Sequence, residues 1–103
     1  MIHFNKETFE KTLNEGKLMM VDFWAEWCVP CQMLGPVIEG LAEKYEGRAV
    51  VGKINTDEEQ ELAMSFGISS IPTVVFFKDG EEIERLVGVM PPDDFVQVLE
   101  KNL

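Results

Sequence analysis

Between residues 18 and 24 the chain reads Leu18-Met19-Met20-Val21-Asp22-Phe23-Trp24, apolar at every position but one. A run of this length, bounded by polar turns and without the alternation of a half-exposed strand, fits a β-strand covered on both faces. Such a strand calls for sheet neighbours on either side and for helices above and below.

The flanking sequence supplies both. Residues 2–4 form a short apolar strand candidate, and Asn5 can cap a helix that buries Phe9 and Leu13 and ends near Gly16. Further on, Leu34, Val37, Ile38, Leu41, Ala42 and Tyr45 recur at three- and four-residue spacing, the stripe of a long helix. Pro36 falls inside it and should kink it, having no amide hydrogen to donate, and Gly47 should stop it. Residues 49–54 read as the next strand and residues 58–66 as a short helix with an acidic start. A strand over 73–77 meets Asp79-Gly80, a two-residue hairpin turn into a strand over 82–87. The last helix opens at Pro91-Pro92-Asp93 and buries Phe95, Val98 and Leu99. Strand–helix alternation that ends in a hairpin predicts an α/β fold: a mixed, five-stranded central sheet with helices on both faces. At 103 residues the chain is expected to be one domain, 1–103.

Charge and targeting signals narrow the function. A net charge of −10 argues against nucleic acid and anionic membranes as partners, since both call for basic surface, and it serves solubility. The N-terminus lacks the basic-then-apolar pattern of an export signal, and no apolar run is long enough to span a bilayer. A reducing cytoplasm is the expected location.

There are two cysteines, Cys28 and Cys31, in Trp27-Cys28-Val29-Pro30-Cys31. A secreted disulfide scaffold would spread more of them along the chain, and a bond across two residues closes too short a loop to stabilise much. Reactivity is the better reason for them. The pair falls between a buried strand and a helix start, where unsatisfied amide hydrogens carry partial positive charge and favour a thiolate, the nucleophilic form. Cys28, at the tip, should be exposed and reactive, with Cys31 shielded one turn in; Pro30 suits the opening of a helix. Two other readings stand beside this one. Structural zinc needs four ligands, and with His3 the only histidine a dimer would have to supply the rest. Alternatively, these are core cysteines at chance spacing. C-x-x-C beside a strand–helix unit in a cytosolic chain is nonetheless a recognised redox signature.

The segment from Val21 to Cys31, with Gly67-Ile68-Ser69-Ser70-Ile71-Pro72-Thr73 downstream, resembles the thioredoxin family over essentially the whole chain. The resemblance implies a dithiol–disulfide oxidoreductase that reduces protein disulfides and is itself re-reduced by a thioredoxin reductase. Its redox group would be the Cys28–Cys31 disulfide, with no bound cofactor and no metal, and it would act as a monomer. Gly-rich dinucleotide fingerprints are absent, so the flavin or nicotinamide belongs to the reductase.

Site roles follow from the same resemblance. Cys28 is the nucleophile and Cys31 the resolving thiol. Asp22, buried by its apolar flanks and so raised in pKa, is the general base. Lys53 would lie near that carboxylate. Pro72 would be cis and face the cysteines, leaving the Ile71 backbone to pair with an extended substrate. Trp27, Val29, Ile71, Pro72 and Gly88 would form a flat apolar docking patch beside Pro30, with Pro36 a helix kink and Gly88 a point of close approach. Two positions depart from the family pattern. Val29 replaces the usual glycine and should make the loop stiffer and more apolar, which bears on substrate range. Gln32 replaces a common lysine and removes its positive charge. A non-catalytic binding module on the same fold is the alternative, as is a disulfide isomerase; the missing export signal disfavours the latter.

Overall fold

A computed structural model describes residues 1–103. In chain order the elements are β1 (Ile2–His3), α1 (Lys6–Asn14), β2 (Met19–Trp24), α2 (Val29–Lys44), β3 (Val50–Asn55), α3 (Gln60–Ser65), β4 (Thr73–Lys78), β5 (Glu81–Val87) and α4 (Pro92–Asn102). The apolar run becomes the central strand: the sheet order is β1-β3-β2-β4-β5. On one side of β2, strand β3 runs parallel and carries β1, also parallel; on the other, β4 and then β5 run antiparallel. The expected mixed five-stranded sheet is what forms.

Burial on both faces explains why β2 shows no polar alternation. Met19, Val21 and Phe23 pack with Phe9, Leu62 and Ala63, so α1 and α3 cover that face. Met20 points the other way and packs with Leu34, Ile38, Phe95 and Leu99, so α2 and α4 cover the second. Each such side chain removed from water contributes roughly 1.5–3 kcal/mol before chain entropy is counted. Strand alternation therefore aims Asp22 at the face that α2 covers.

Local chemistry sets the element ends. Asn5 and Thr8 form a reciprocal cap on α1: Thr8 N–H donates to Asn5 Oδ1 at 2.8 Å and Asn5 N–H to Thr8 Oγ1 at 2.9 Å. Asp79 and Gly80 have φ of 55° and 81°, the left-handed pair that a two-residue hairpin requires.

Several boundaries differ from the sequence expectation. Phe4 leaves β1 after His3 and packs against Phe9 at 5.9 Å between ring centroids. The third helix starts at Gln60 rather than 58, because Asn55 Oδ1 accepts from the amides of Asp57 and Glu58 at 2.9 and 3.2 Å and holds them in a turn. Helix α2 carries Pro36 inside it and ends at Lys44, ahead of Gly47. There the buried Tyr45 hydroxyl donates to Glu100 at 2.6 Å and ties the end of α2 to α4.

Candidate functional site

The strand registers bring four connections to one end of the sheet. In the pairings Trp24↔Asn55, Phe23↔Thr73 and Thr73↔Val87, the ends of β2, β3 and β5 meet the start of β4. Both cysteines lie there, at the N-terminus of α2.

Cys28 is the N-cap of that helix, with extended backbone (φ −88°, ψ 105°), and its Sγ accepts the Cys31 amide hydrogen at 3.2 Å. A sulfur in that place sits on unsatisfied amide dipoles, which favour negative charge. Pro30 occupies the first turn, where its missing hydrogen leaves no helical bond unmade. The two sulfurs are joined in a disulfide, with the Cα atoms 5.2 Å apart. No group of three or more His, Cys, Asp or Glu side chains is placed to hold a metal ion.

Exposure corrects one expectation. Cys28 is only 4% exposed and Cys31 1%, because Ala25, Trp24 and Ile71 pack around them. What separates the thiols is the direction in which each is open. Cys28 lies in a groove of about 590 Å³ lined by Trp27, Val29, Pro30, Thr56 and the 68–71 segment; Cys31 does not line it.

Trp27 forms one wall of the groove at 69% exposure, and Val29 is 68% exposed. The indole is held edge-on: Nε1–H donates to Asp57 Oδ2 at 2.9 Å. Sequence reasoning missed Asp57, which comes thirty residues later and is brought in by the Asn55 turn. Thr56, Ser69 and Ser70, also unanticipated, supply the polar part of the lining. Without Asp57 the ring loses one charge-assisted bond, worth about 1.5 kcal/mol, the low end for such bonds because this one is exposed. Asp57→Ala should therefore raise KM for a protein disulfide by up to about tenfold while kcat stays within about twofold. Equal losses in both would show that the bond serves the chemical step instead.

The rest of the expected patch is rearranged. Ile71 is half-buried and lines the groove, its carbonyl oxygen 3.8 Å from Cys28 Sγ. The Ile71–Pro72 bond is cis, as the resemblance implied. Pro72 itself is buried and does not line the groove, so it supports Ile71 from below rather than forming surface. Gly88 is also absent from the lining; its amide donates to Pro72 O at 2.8 Å. A Cβ on Gly88 would meet nothing within 4 Å, so crowding inside the fold is not what calls for glycine there; the φ of +94° is. Pro36 lies farther along α2, outside the lining. Gln32 is exposed and donates to the Glu26 carbonyl at 3.1 Å.

Asp22 is fully buried, and neither carboxylate oxygen has a hydrogen-bond partner. Burial pushes its pKa up to about 7, with Lys53 opposing the shift. Lys53 is Asp22's register partner on β3 and is 9% exposed, hence no solvated strand end. Its Nζ sits 4.2 Å above the Trp24 ring centroid, a cation–π contact that holds the ammonium near the carboxylate without pairing to it. Trp24 Nε1 is likewise buried and unpaired.

Comparison with known proteins agrees with this arrangement. The model of the Thioredoxin family matches residues 1–101. A thioredoxin of Chlorobaculum thiosulfatiphilum is 44% identical over 91 residues, 88% of this chain and 84% of that protein. One from Staphylococcus haemolyticus is 40% identical over 103 residues, covering 100% and 98%. Among solved structures, Plasmodium falciparum thioredoxin superposes with a TM-score of 0.90 at 29% identity, covering both chains in full. A mutant thioredoxin from Halobacterium salinarum gives 0.88 at 39% identity, over 97% of this chain and 88% of the other.

Proposed function

Because this chain belongs to the thioredoxin family and is a dithiol–disulfide oxidoreductase, we propose the following division of labour among its residues. The Cys28 thiolate attacks one sulfur of a substrate disulfide. A mixed disulfide forms between Cys28 and that sulfur, and the other substrate sulfur leaves as a thiolate. Asp22 takes the Cys31 proton; the Cys31 thiolate then attacks Cys28 Sγ and expels the second substrate thiolate. Two electrons pass from the dithiol to the substrate, which leaves the Cys28–Cys31 disulfide. Family membership implies disulfide-bearing protein substrates and a reductase that restores the dithiol.

The observation that carries this reading is the place of Cys28 Sγ: at a helix N-terminus, taking the Cys31 amide hydrogen, and open to the groove. The substrate strand lies along Ile71 in the groove, between Trp27 and Val29. Pro72 and Gly88 fix the Ile71 backbone, Pro30 sets the first turn of α2, and Pro36 shapes that helix farther on. Lys53 restrains how far the Asp22 proton affinity rises. Residues 1–103 act as one monomeric domain in the cytoplasm; no helix is long and apolar enough to cross a membrane.

Limited alkylation tests the order of attack. With iodoacetamide below one equivalent at neutral pH, the reduced protein should carry the label on Cys28, at least about tenfold faster than a free peptide thiol. Label on Cys31 first, or a rate no better than that of the peptide, would refute the assignment.

A further inference from the structure

At the end of the sheet where the groove opens, the loops and the first turn of α4 carry Glu26, Asp57, Glu58, Glu59, Asp93 and Asp94. None of the nine lysines and arginines falls in the segments 25–34, 56–60, 67–72 or 88–94 that build this end. Cations on the adjoining elements are already engaged. Lys53 is buried over Trp24, Arg85 is held by Glu82 at 2.8 Å, and Lys6 lies 3.1 Å from Glu61. The groove lining itself contains no charged side chain. An uncharged reactive floor thus sits inside a rim of one sign.

We propose that this rim selects its partners. It fits polypeptide segments in which the reducible disulfide is flanked by lysine or arginine, with an uncharged residue beside the attacked cysteine. The proposal rests on Cys28 being the attacking thiol in this groove. Low-dielectric walls with charge of one sign focus the field over the opening and raise the local concentration of the opposite charge. The effect acts on encounter: basic segments arrive faster and acidic ones are repelled, each less so once salt shortens the reach of the field. Gln32 adds to the asymmetry, since a cation at that position would stand one residue past Cys31 and offset the rim.

Three cystine peptides with the same apolar core, flanked by lysine, glutamine or glutamate, test this. The second-order rate constant for oxidation of the reduced protein by each peptide is divided by that for reduction of the same peptide by dithiothreitol, which removes the peptide's intrinsic reactivity. At about 20 mM ionic strength the lysine peptide should react about tenfold faster than the glutamate peptide, and at about 0.5 M the ratio should approach one. In Glu26→Gln/Glu58→Gln the low-salt ratio should fall at least threefold, on the order expected for local charge steering. Neutralising Glu43 and Glu46, near the far end of α2, should leave it close to wild type. A ratio near one at low salt, or an equal fall in both double variants, would overturn the proposal. Failure to react with any of the three peptides would overturn the thiol assignment itself, and the rim proposal with it.

Discussion

Serine in place of Cys28 brings catalysed disulfide reduction down to the background of the external dithiol, a fall of at least about 10³-fold in kcat/KM. A hydroxyl at this position is not ionised near neutral pH and cannot form the mixed disulfide through which electrons pass. The fold should survive intact. The lost disulfide spans so few residues that it constrains the unfolded chain very little. Serine is also among the best N-cap residues and can accept the Cys31 amide hydrogen as the sulfur does. Cys31→Ser should behave differently. Attack through Cys28 still occurs but the adduct is not resolved, so a non-reducing gel shows a covalent complex with the substrate that dithiothreitol releases. Insulin, with dithiothreitol as donor, makes both measurements in one assay. Turnover retained by Cys28→Ser, or a trapped complex in that variant instead, would reverse the assigned roles.

Much of this architecture was legible because burial on two faces leaves a short, unbroken apolar run between polar turns, too short for an ordinary helix. The run 18–24 fits a strand covered on both faces, and the stripe from Leu34 to Tyr45 fits a helix laid on the sheet. The hairpin was legible because Asp-Gly tolerates two successive left-handed residues. What stayed hidden depends on contacts between distant segments. Trp27 and Asp57 meet only because Asn55 folds its own following amides into a turn, and no local pattern announces where that turn delivers a carboxylate. The exposure of Cys28 depends on how the 67–72 segment packs over it, so an end-of-strand position predicted more surface than the fold leaves. Pro72 is buried and Gly88 half-buried, joined by the bond from the Gly88 amide to Pro72 O, and neither lines the groove beside Cys28, an arrangement set by the β4–β5 pairing rather than by any local pattern. For Lys53, the resemblance implies a neighbour of Asp22 but not the orientation over Trp24.

Asp22 should make the oxidised protein less stable as pH rises from acid to neutral, and Asp22→Asn should abolish that part of the decline. The folded-state pKa, raised to about 7 by burial, lies above the value near 3.9 of an unfolded aspartate. Below about pH 3.9 both states hold the proton and ionisation of the group adds no penalty to folding. Between there and about pH 7 the unfolded chain has lost a proton that the folded chain keeps, so stability falls with rising pH and then levels off. The gap corresponds to on the order of 4 kcal/mol between pH 4 and pH 8. Urea unfolding of wild type and Asp22→Asn across that range isolates it, because all the other carboxylates titrate alike in the two proteins. Parallel curves would mean that Asp22 does not hold its proton in the fold. The same variant should slow release of the substrate from the mixed disulfide, and the rate should lose its pH break near 7, since nothing remains to accept the Cys31 proton. A variant that gains stability at pH 8 yet resolves the adduct at the wild-type rate would leave the buried carboxylate without a role in proton transfer. Both effects have one origin: a carboxyl group with no hydrogen-bond partner, kept where a neutral form is favoured, titrates where a thiol needs a base and weakens the fold in doing so.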